Sequence, residues 1–526
     1  MIPSGKFKFY YVLILLSGFF FQLSSAQNNL DYAKTITIEE LQEHMYFLAS
    51  DFLEGRVAYE PGYEIAANYC ASQFKLAGLT PFYKDDEGNL TYFQEVPLIK
   101  KTFGANCSIS LIGSEGSTEL YHIDDFKMPD GISDFSADEL EIVFVGYGIN
   151  EPDYNWNDFN NLDIKGKAVI FIQGTPSKNG KKVLPDDLDK EYHLVKGFQK
   201  KLFAVLKMNP AAVIVIPDNE TIKMFQSWEM LPSSVGGDQY SYAEKITDDM
   251  FHIPPIFVLR NESVNKVFKN QKYSPEDIES IGMKGYKPFI FKDLKWKLNF
   301  EISGSEKIMT KNIVGLIEGS DEDLKNEYIV LCAHLDHIPP VNGQICNGAD
   351  DNASGTVGLI EVAEAMKHIQ TKRSVIFSIF TAEELGLIGS SHFLNHSPVP
   401  LENIKANINL DMIGRTSPEN EETNAHNIIL HKQYFESMKK LLSEVNSETL
   451  NFPLVYCDVS KSAGDSDHTS FNNVDIPNIH FYSGHHKDVH TPNDDAENID
   501  YEKMHKVSQL VYYFTVKMAN MDNLPF

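Results

Sequence analysis

The chain has 526 residues, 42% of them hydrophobic and 23% charged, the balance of a water-soluble protein with a sizeable core, which excludes disorder and collagen-like repetition. Seventy-four Asp and Glu against 46 Lys and Arg leave a net charge of −28, a field that repels phosphate backbones and anionic lipid, so nucleic acid is not an expected partner. Five cysteines, none in CxxC spacing, are too few for a disulfide scaffold and offer no thiolate zinc site.

Residues 1–26 read as a secretory leader, with Lys6 and Lys8 ahead of an apolar run over 9–21 and Ser24, Ser25 and Ala26 at its end. That run falls short of the roughly 20 residues a membrane-spanning helix needs. Cleavage leaves Gln27 first, and the expected location is secreted or periplasmic, with no membrane attachment once the leader is gone. Over 37–79 the apolar residues Leu41, Met45, Leu48, Ala66, Tyr69 and Phe74 recur at helical spacing, broken by Gly55, Pro61 and Gly62. Two or three helices are predicted there. From 93 to 259 the pattern changes to short apolar runs at 140–145, 168–172, 211–216 and 256–259, which read as strands. One helical stretch, 197–207, lies among them. This part reads as a β-rich insertion over 121–274, leaving 27–120 and 275–526 as two segments of one larger domain.

The last 230 residues or so alternate strand and helix as βαβ units do, so the expected fold class is α/β, with a mostly parallel mixed sheet flanked by helices. Strands are predicted at 328–332, 374–380, 406–410 and 476–482, and helices at 353–368 and 501–518. Each strand is followed by a cluster of His, Asp or Glu. The clusters are AHLDH (333–337), GADDNASG (348–355), TAEELG (381–386), NLDMIGR (409–415) and GHHKDVHTPNDD (484–495). Carboxyl ends of strands in an open α/β sheet line the crevice where ligands bind. Singly, each cluster has a plain explanation: Asp350, Asp351 and Asn352 as helix caps, Glu383 and Glu384 as a solvated helix start. Jointly, imidazoles with three or more carboxylates suit zinc, and the surplus over three ligands suggests two metals about 3.5–4 Å apart. GxSxG, HExxH, Walker and GxGxxG signatures are all absent from the sequence.

The five clusters in this order resemble the co-catalytic di-zinc aminopeptidase family, whose relatives include glutamate carboxypeptidases, glutaminyl cyclases and the transferrin receptor. The resemblance covers 37–99, with LQEHMYFLASDFLEGR and FKLAGLTP, and then about 298–518. It implies two zinc ions per chain, with Asp351 bridging, His334 and Asp411 completing one site, and Glu384 and His490 the other. It makes Glu383 the general base and acid acting on a metal-bridging hydroxide, and Asp336 the carboxylate that holds the second nitrogen of His334. Relatives often carry Tyr immediately before the last His where this chain has Val489, which leaves Tyr482 as a candidate oxyanion donor. SDHTSF (466–471) is also similar to the family. The insertion resembles a protease-associated domain through VFVGYGI (143–149), LDIKGKAVIFIQG (162–174) and AAVIVIPD (211–218).

The resemblance thus implies a secreted metallo-exopeptidase that cleaves the N-terminal peptide bond of peptides. A carboxypeptidase or dipeptidase on the same metals is the alternative, with Arg415 as the cation for a C-terminal carboxylate; a glutaminyl cyclase or a receptor-like binding protein are further ones. Side-chain preference and oligomeric state are not readable from the sequence.

Overall fold

The structure, a computed structural model, describes residues 31–526 except 104–107, 122–123, 128–134, 179–180, 194, 219–237, 245–253, 274–287, 342 and 459–465. The expected leader lies outside these residues. The chain divides into two compact units, one formed by residues up to Val96 together with Met309–Phe526, the other by Pro97–Ile308.

In the larger unit, seven strands are members of a ten-stranded mixed sheet: β1 (Ile302–Ile317, through its second half), β2 (Tyr328–His334), β3 (Ser374–Phe380), β4 (Ile404–Leu410), β5 (His426–Leu430), β6 (Leu454–Asp458) and β7 (Asn478–Tyr482), in the order β1-β3-β2-β4-β7-β5-β6. β3, β2, β4 and β7 run parallel, β1 pairs antiparallel with β3 and β5 antiparallel with β7, and β6 runs parallel to β5. All four strands predicted from the apolar runs are present in this parallel centre. Both faces of β2 are buried: Ile329, Leu331 and Ala333 enter one core, Val330 and Cys332 the other. A strand covered on two sides reads as a continuous apolar run, which is why these four were recognisable.

Helices cover the sheet. α1 (Ile38–Leu48) starts at a capping box, in which Thr37 Oγ1 accepts from the Glu40 amide at 3.2 Å and donates to the Glu40 carboxylate at 2.8 Å. α2 (Pro61–Leu76) has proline in its first turn, where no intrahelical donor is lost. α3 (Gly355–Met366) is buried on nearly every side between α1, α2 and α6 (Tyr501–Asn520). A Cβ on Gly358 would come within 2.8 Å of Ile413 and 3.0 Å of Ser508, so glycine permits the close approach of α3 to α6. α4 (Ile388–Asn395) and α5 (Phe435–Glu448) complete the set used below.

The smaller unit holds an eight-stranded sheet whose centre, Phe135–Phe144, Ala168–Ile172, Ala212–Ile216 and Ile256–Leu259, is parallel. It is wider than the 121–274 expected for the insertion. Ser108–Gly113, Gly116–Leu120 and Phe289–Phe300 are antiparallel members of this sheet, and Trp296 sits fully buried in its core. These strands flank the expected boundaries in sequence but find their partners across them. Among the described cysteines, Cys70, Cys332 and Cys346 are free of disulfides. No described helix is long and apolar enough to cross a membrane.

Candidate active site

The carboxyl ends of β2, β3, β4 and β7 deliver the acidic and imidazole side chains to one place. His334 is the last residue of β2, Glu383 and Glu384 follow β3, Asp411 follows β4, and His490 lies on the loop after β7. Asp351 comes from the turn that enters α3. Three non-glycine residues here, Ala382, Met412 and His490, hold positive φ of 53°, 58° and 58°, a region that L-residues avoid unless their surroundings impose it.

Two groups of donors result. His334 Nε2 lies 3.4 Å from Asp411 Oδ1, 3.5 Å from Asp351 Oδ1 and 4.0 Å from Glu383 Oε2. His490 Nε2 lies 3.0 Å from Asp351 Oδ2 and 3.2 Å from Glu384 Oε1. Asp351 therefore turns one oxygen towards each group, the disposition a bridging carboxylate requires. His337, at the end of AHLDH, joins the second group, with Nδ1 3.1 Å from Glu384 Oε1 and 3.8 Å from Asp351 Oδ2. The structure thus brings together His334, Asp351, Glu383, Glu384, Asp411 and His490. It adds His337, to which the sequence reading gave no role.

The contacts behind these groups fix their geometry. His334 donates through Nδ1 to the backbone carbonyl of Asp336 at 3.1 Å; a carbonyl only accepts, so Nδ1 carries a proton and Nε2 is the nitrogen that faces Asp411 and Asp351. The expectation that the Asp336 carboxylate holds this ring is corrected. That carboxylate instead accepts from the Glu383 and Glu384 amides at 3.1 and 3.2 Å, because the turn after β3 leaves both N–H groups facing it. Asp350 and Asn352 brace Asp351 from either side. Asp350 accepts from the Gly414 amide at 2.6 Å and faces His486 at 3.1 Å. Asn352 accepts from Gly355 at 2.9 Å and Met412 at 3.2 Å and donates to Leu410. It caps the helix, as its residue type suggested, and also ties the turn to the end of β4. Asp494 accepts from the amides of Asp350 and Asp351 at 2.9 and 3.0 Å.

The electrostatics separate the two adjacent glutamates. Burial, with Glu384, Asp467 and Asp411 nearby, pushes Glu383 well above the usual carboxylate range against the pull of His334. Burial acts on Glu384 in the same direction, but His490 and His337 outweigh it and hold it well below that range. Asp411 is held at about 2, burial being overcome by His334, and burial lifts Asp336 to about 7. Burial disfavours the charged forms of His334 and His490, yet the surrounding carboxylates raise both well above the ordinary imidazole value. Such a cluster is short of positive charge. Among the described residues, His334 Nε2 and Asp411 Oδ1 are both buried with no hydrogen-bond partner, and two sets, His337 with Asp351, Glu384 and His490, and His334 with Glu383 and Asp411, have the residue types and spacing to hold a divalent metal.

Beneath Asp411, Asn409 donates to Ser466 at 2.8 Å and meets His480 at 3.0 Å, and His468 stacks on His480 at 4.3 Å. The first residues of SDHTSF thus form a buried polar layer under β4 and β7. Tyr482 stacks on His480 at 5.3 Å.

The site is thus a buried His and carboxylate cluster with two donor sets at the carboxyl edge of a mixed α/β sheet. Residues 312–515 match the model of Peptidase family M28. Over 211 residues the chain is 30% identical to aminopeptidase YwaD of Bacillus subtilis, a match spanning 38% of this chain and 43% of that protein. It is 34% identical over 121 residues to leucine aminopeptidase 2 of Trichophyton rubrum, 23% of each chain. The chain therefore spans less than half the length of these curated relatives. An aminopeptidase from Aneurinibacillus sp. strain AM-1 superposes with a TM-score of 0.58 at 19% identity, over 94% of this chain and 97% of the other; at that identity the likeness is one of fold.

Proposed function

We propose that this protein is a secreted di-zinc aminopeptidase that hydrolyses the N-terminal peptide bond of peptides. The observation that carries the reading is the two-sided Asp351 carboxylate between His334 with Asp411 on one side and Glu384 with His490 on the other. His334, Asp411 and Asp351 would hold one zinc ion, and Asp351, Glu384 and His490 the other. When bound, zinc supplies a Lewis acid for the scissile carbonyl and lowers the pKa of a coordinated water to about 7.

Glu383 is the proton shuttle. Its carboxylate lies 4.0 Å from His334 Nε2, at the edge of that donor set, and its raised proton affinity suits a group that accepts a proton from the attacking water and returns it to the leaving amine. Asp336 acts by positioning, since it fixes both glutamate amides. With valine at 489, Tyr482 is the candidate donor to the developing oxyanion. We read the smaller unit as a protease-associated domain, on the motifs that the sequence shares with such domains, and residues 1–26 as the leader that directs secretion.

Arg415, the cation proposed for a C-terminal carboxylate, is ion-paired through Nη2 with Asp488 at 2.9 Å, which supports the N-terminal reading over a carboxypeptidase. The test is to incubate purified protein with free, N-acetylated and C-amidated peptides, with and without chelator, and to follow products by mass. Loss of residues from free N-termini, blocked by acetylation and by chelator but not by amidation, is expected. Trimming that amidation blocks would move the assignment to a carboxypeptidase.

A further inference from the structure

The two donor sets are unequal. A tetrahedral zinc site with ligand bonds of about 2.0–2.1 Å has donor-to-donor edges of about 3.3 Å. In the second set the measured edges are 3.0 Å (His490 to Asp351), 3.1 Å (His337 to Glu384), 3.2 Å (His490 to Glu384) and 3.8 Å (His337 to Asp351). Four side chains thus enclose one metal-sized space, and all four donor atoms lie within 4.8 Å of one another.

His337 is placed there firmly. Its side chain is fully buried, its Nδ1 faces the Glu384 and Asp351 carboxylates, and among the described residues its Nε2 has no hydrogen-bond partner. Its ring lies against the backbone at Gly348, where a Cβ would fall 2.5 Å from the ring and 2.2 Å from the Asp351 carbonyl. Gly348 also has a φ of +56°, so glycine is required on both counts.

We infer that His337 is a ligand of the second metal position, which four protein donors then close, while the other position is held by His334, Asp411 and Asp351, with Glu383 beside them at 4.0 Å from His334 as the proton shuttle of the proposed function, and keeps an open place for chemistry. The inference rests on the di-zinc reading and goes beyond its five ligands. Closed four-donor zinc sites are structural in type, and open three-donor sites catalytic. The closed position should fill first and tighter, and the open one should exchange its ion more readily.

X-ray absorption at the zinc edge separates ligation from a hydrogen bond between His337 and Glu384. Protein stripped of metal and reloaded with one zinc per chain is expected to show about two imidazoles per zinc, falling to about one in His337→Ala. With only the five ligands named earlier, each zinc has one histidine. One imidazole per zinc in the half-loaded wild type would therefore overturn the inference while leaving the di-zinc reading intact. A wild-type chain that takes up no zinc at all would overturn both. The wild-type spectrum decides even where the variant folds poorly.

Discussion

Glu383 and Glu384 are neighbours in sequence and opposites in environment. Consecutive side chains diverge, so one reaches the His334 group and the other meets His337 and His490. Their proton affinities move apart accordingly, Glu383 upward and Glu384 downward, in line with the proposed roles of the first as proton carrier and the second as metal ligand. The isosteric pair of variants tests this. Glu383→Gln should lower kcat by about 10²- to 10⁴-fold with zinc content unchanged, whereas Glu384→Gln should lose zinc as well as activity. Equal zinc loss in both, or wild-type turnover in Glu383→Gln, would contradict the division of roles. The residue types in AHLDH, GADDNASG and TAEELG were enough to single out most of this centre, because metal chemistry restricts which side chains serve. His337 escaped notice despite standing in the first cluster, since only the folded turn shows that both histidines, three positions apart, face inward. Asp336 was singled out for the wrong contact, because sequence spacing does not distinguish a carboxylate from its own backbone carbonyl.

The ligands sit on turns, and those turns are fixed by an arginine from a distant segment. Arg56 is fully buried and donates to the carbonyls of Leu48, Leu335, Asn347 and Gly348. It thereby joins the turn Asp51–Arg56 to the loop after β2 and to the loop before Asp351. Burial lowers its pKa to about 10, partly offset by Asp494, Asp351 and Asp336, so it remains charged at neutral pH. Arg56→Met leaves several buried carbonyls without a donor; at roughly 1–3 kcal/mol for each unsatisfied group, the loss should be about 3 kcal/mol or more. Urea denaturation should show a lower midpoint, and zinc affinity should fall as the ligand loops loosen. An unchanged midpoint with unchanged zinc affinity would remove the clamp from the account. The sequence displayed this arginine in DFLEGR without a role, since its partners are backbone atoms up to 292 positions away.

At the scale of the molecule, the four parallel strands were legible because burial on both faces writes an unbroken apolar run. β6, partly exposed along its length with Val455 open to solvent, gave no such run. The extent of the smaller unit was hidden for a different reason. Phe289–Phe300 pairs with Ser108–Gly113 and Phe135–Phe144, and linear order does not announce partners more than 140 residues apart.

That smaller unit carries its own pH signature. Lys201 is fully buried and donates to the carbonyls of Ile172 and Gly174; burial lowers its pKa from 10.5 to about 7, partly countered by Asp218 and Asp158. Between pH 7 and 10.5 the unfolded chain binds a proton here that the folded chain does not. This group therefore makes stability rise with pH across that window, by up to about 1.4 kcal/mol per pH unit, and contributes no slope below it. Lys201→Met should flatten the difference in unfolding free energy between pH 7.5 and 9.5. Identical slopes in variant and wild type would show that the lysine titrates normally.

The central claim is that one cluster, divided by Asp351, holds two metals and works through them. Native mass spectrometry of the intact protein, run in parallel with a peptide-cleavage assay, tests it most directly. The account predicts a mass increment of two zinc ions per chain, loss of both ions and of activity on chelation, and return of both with added zinc. A chain that carries no zinc and still trims peptides would contradict it.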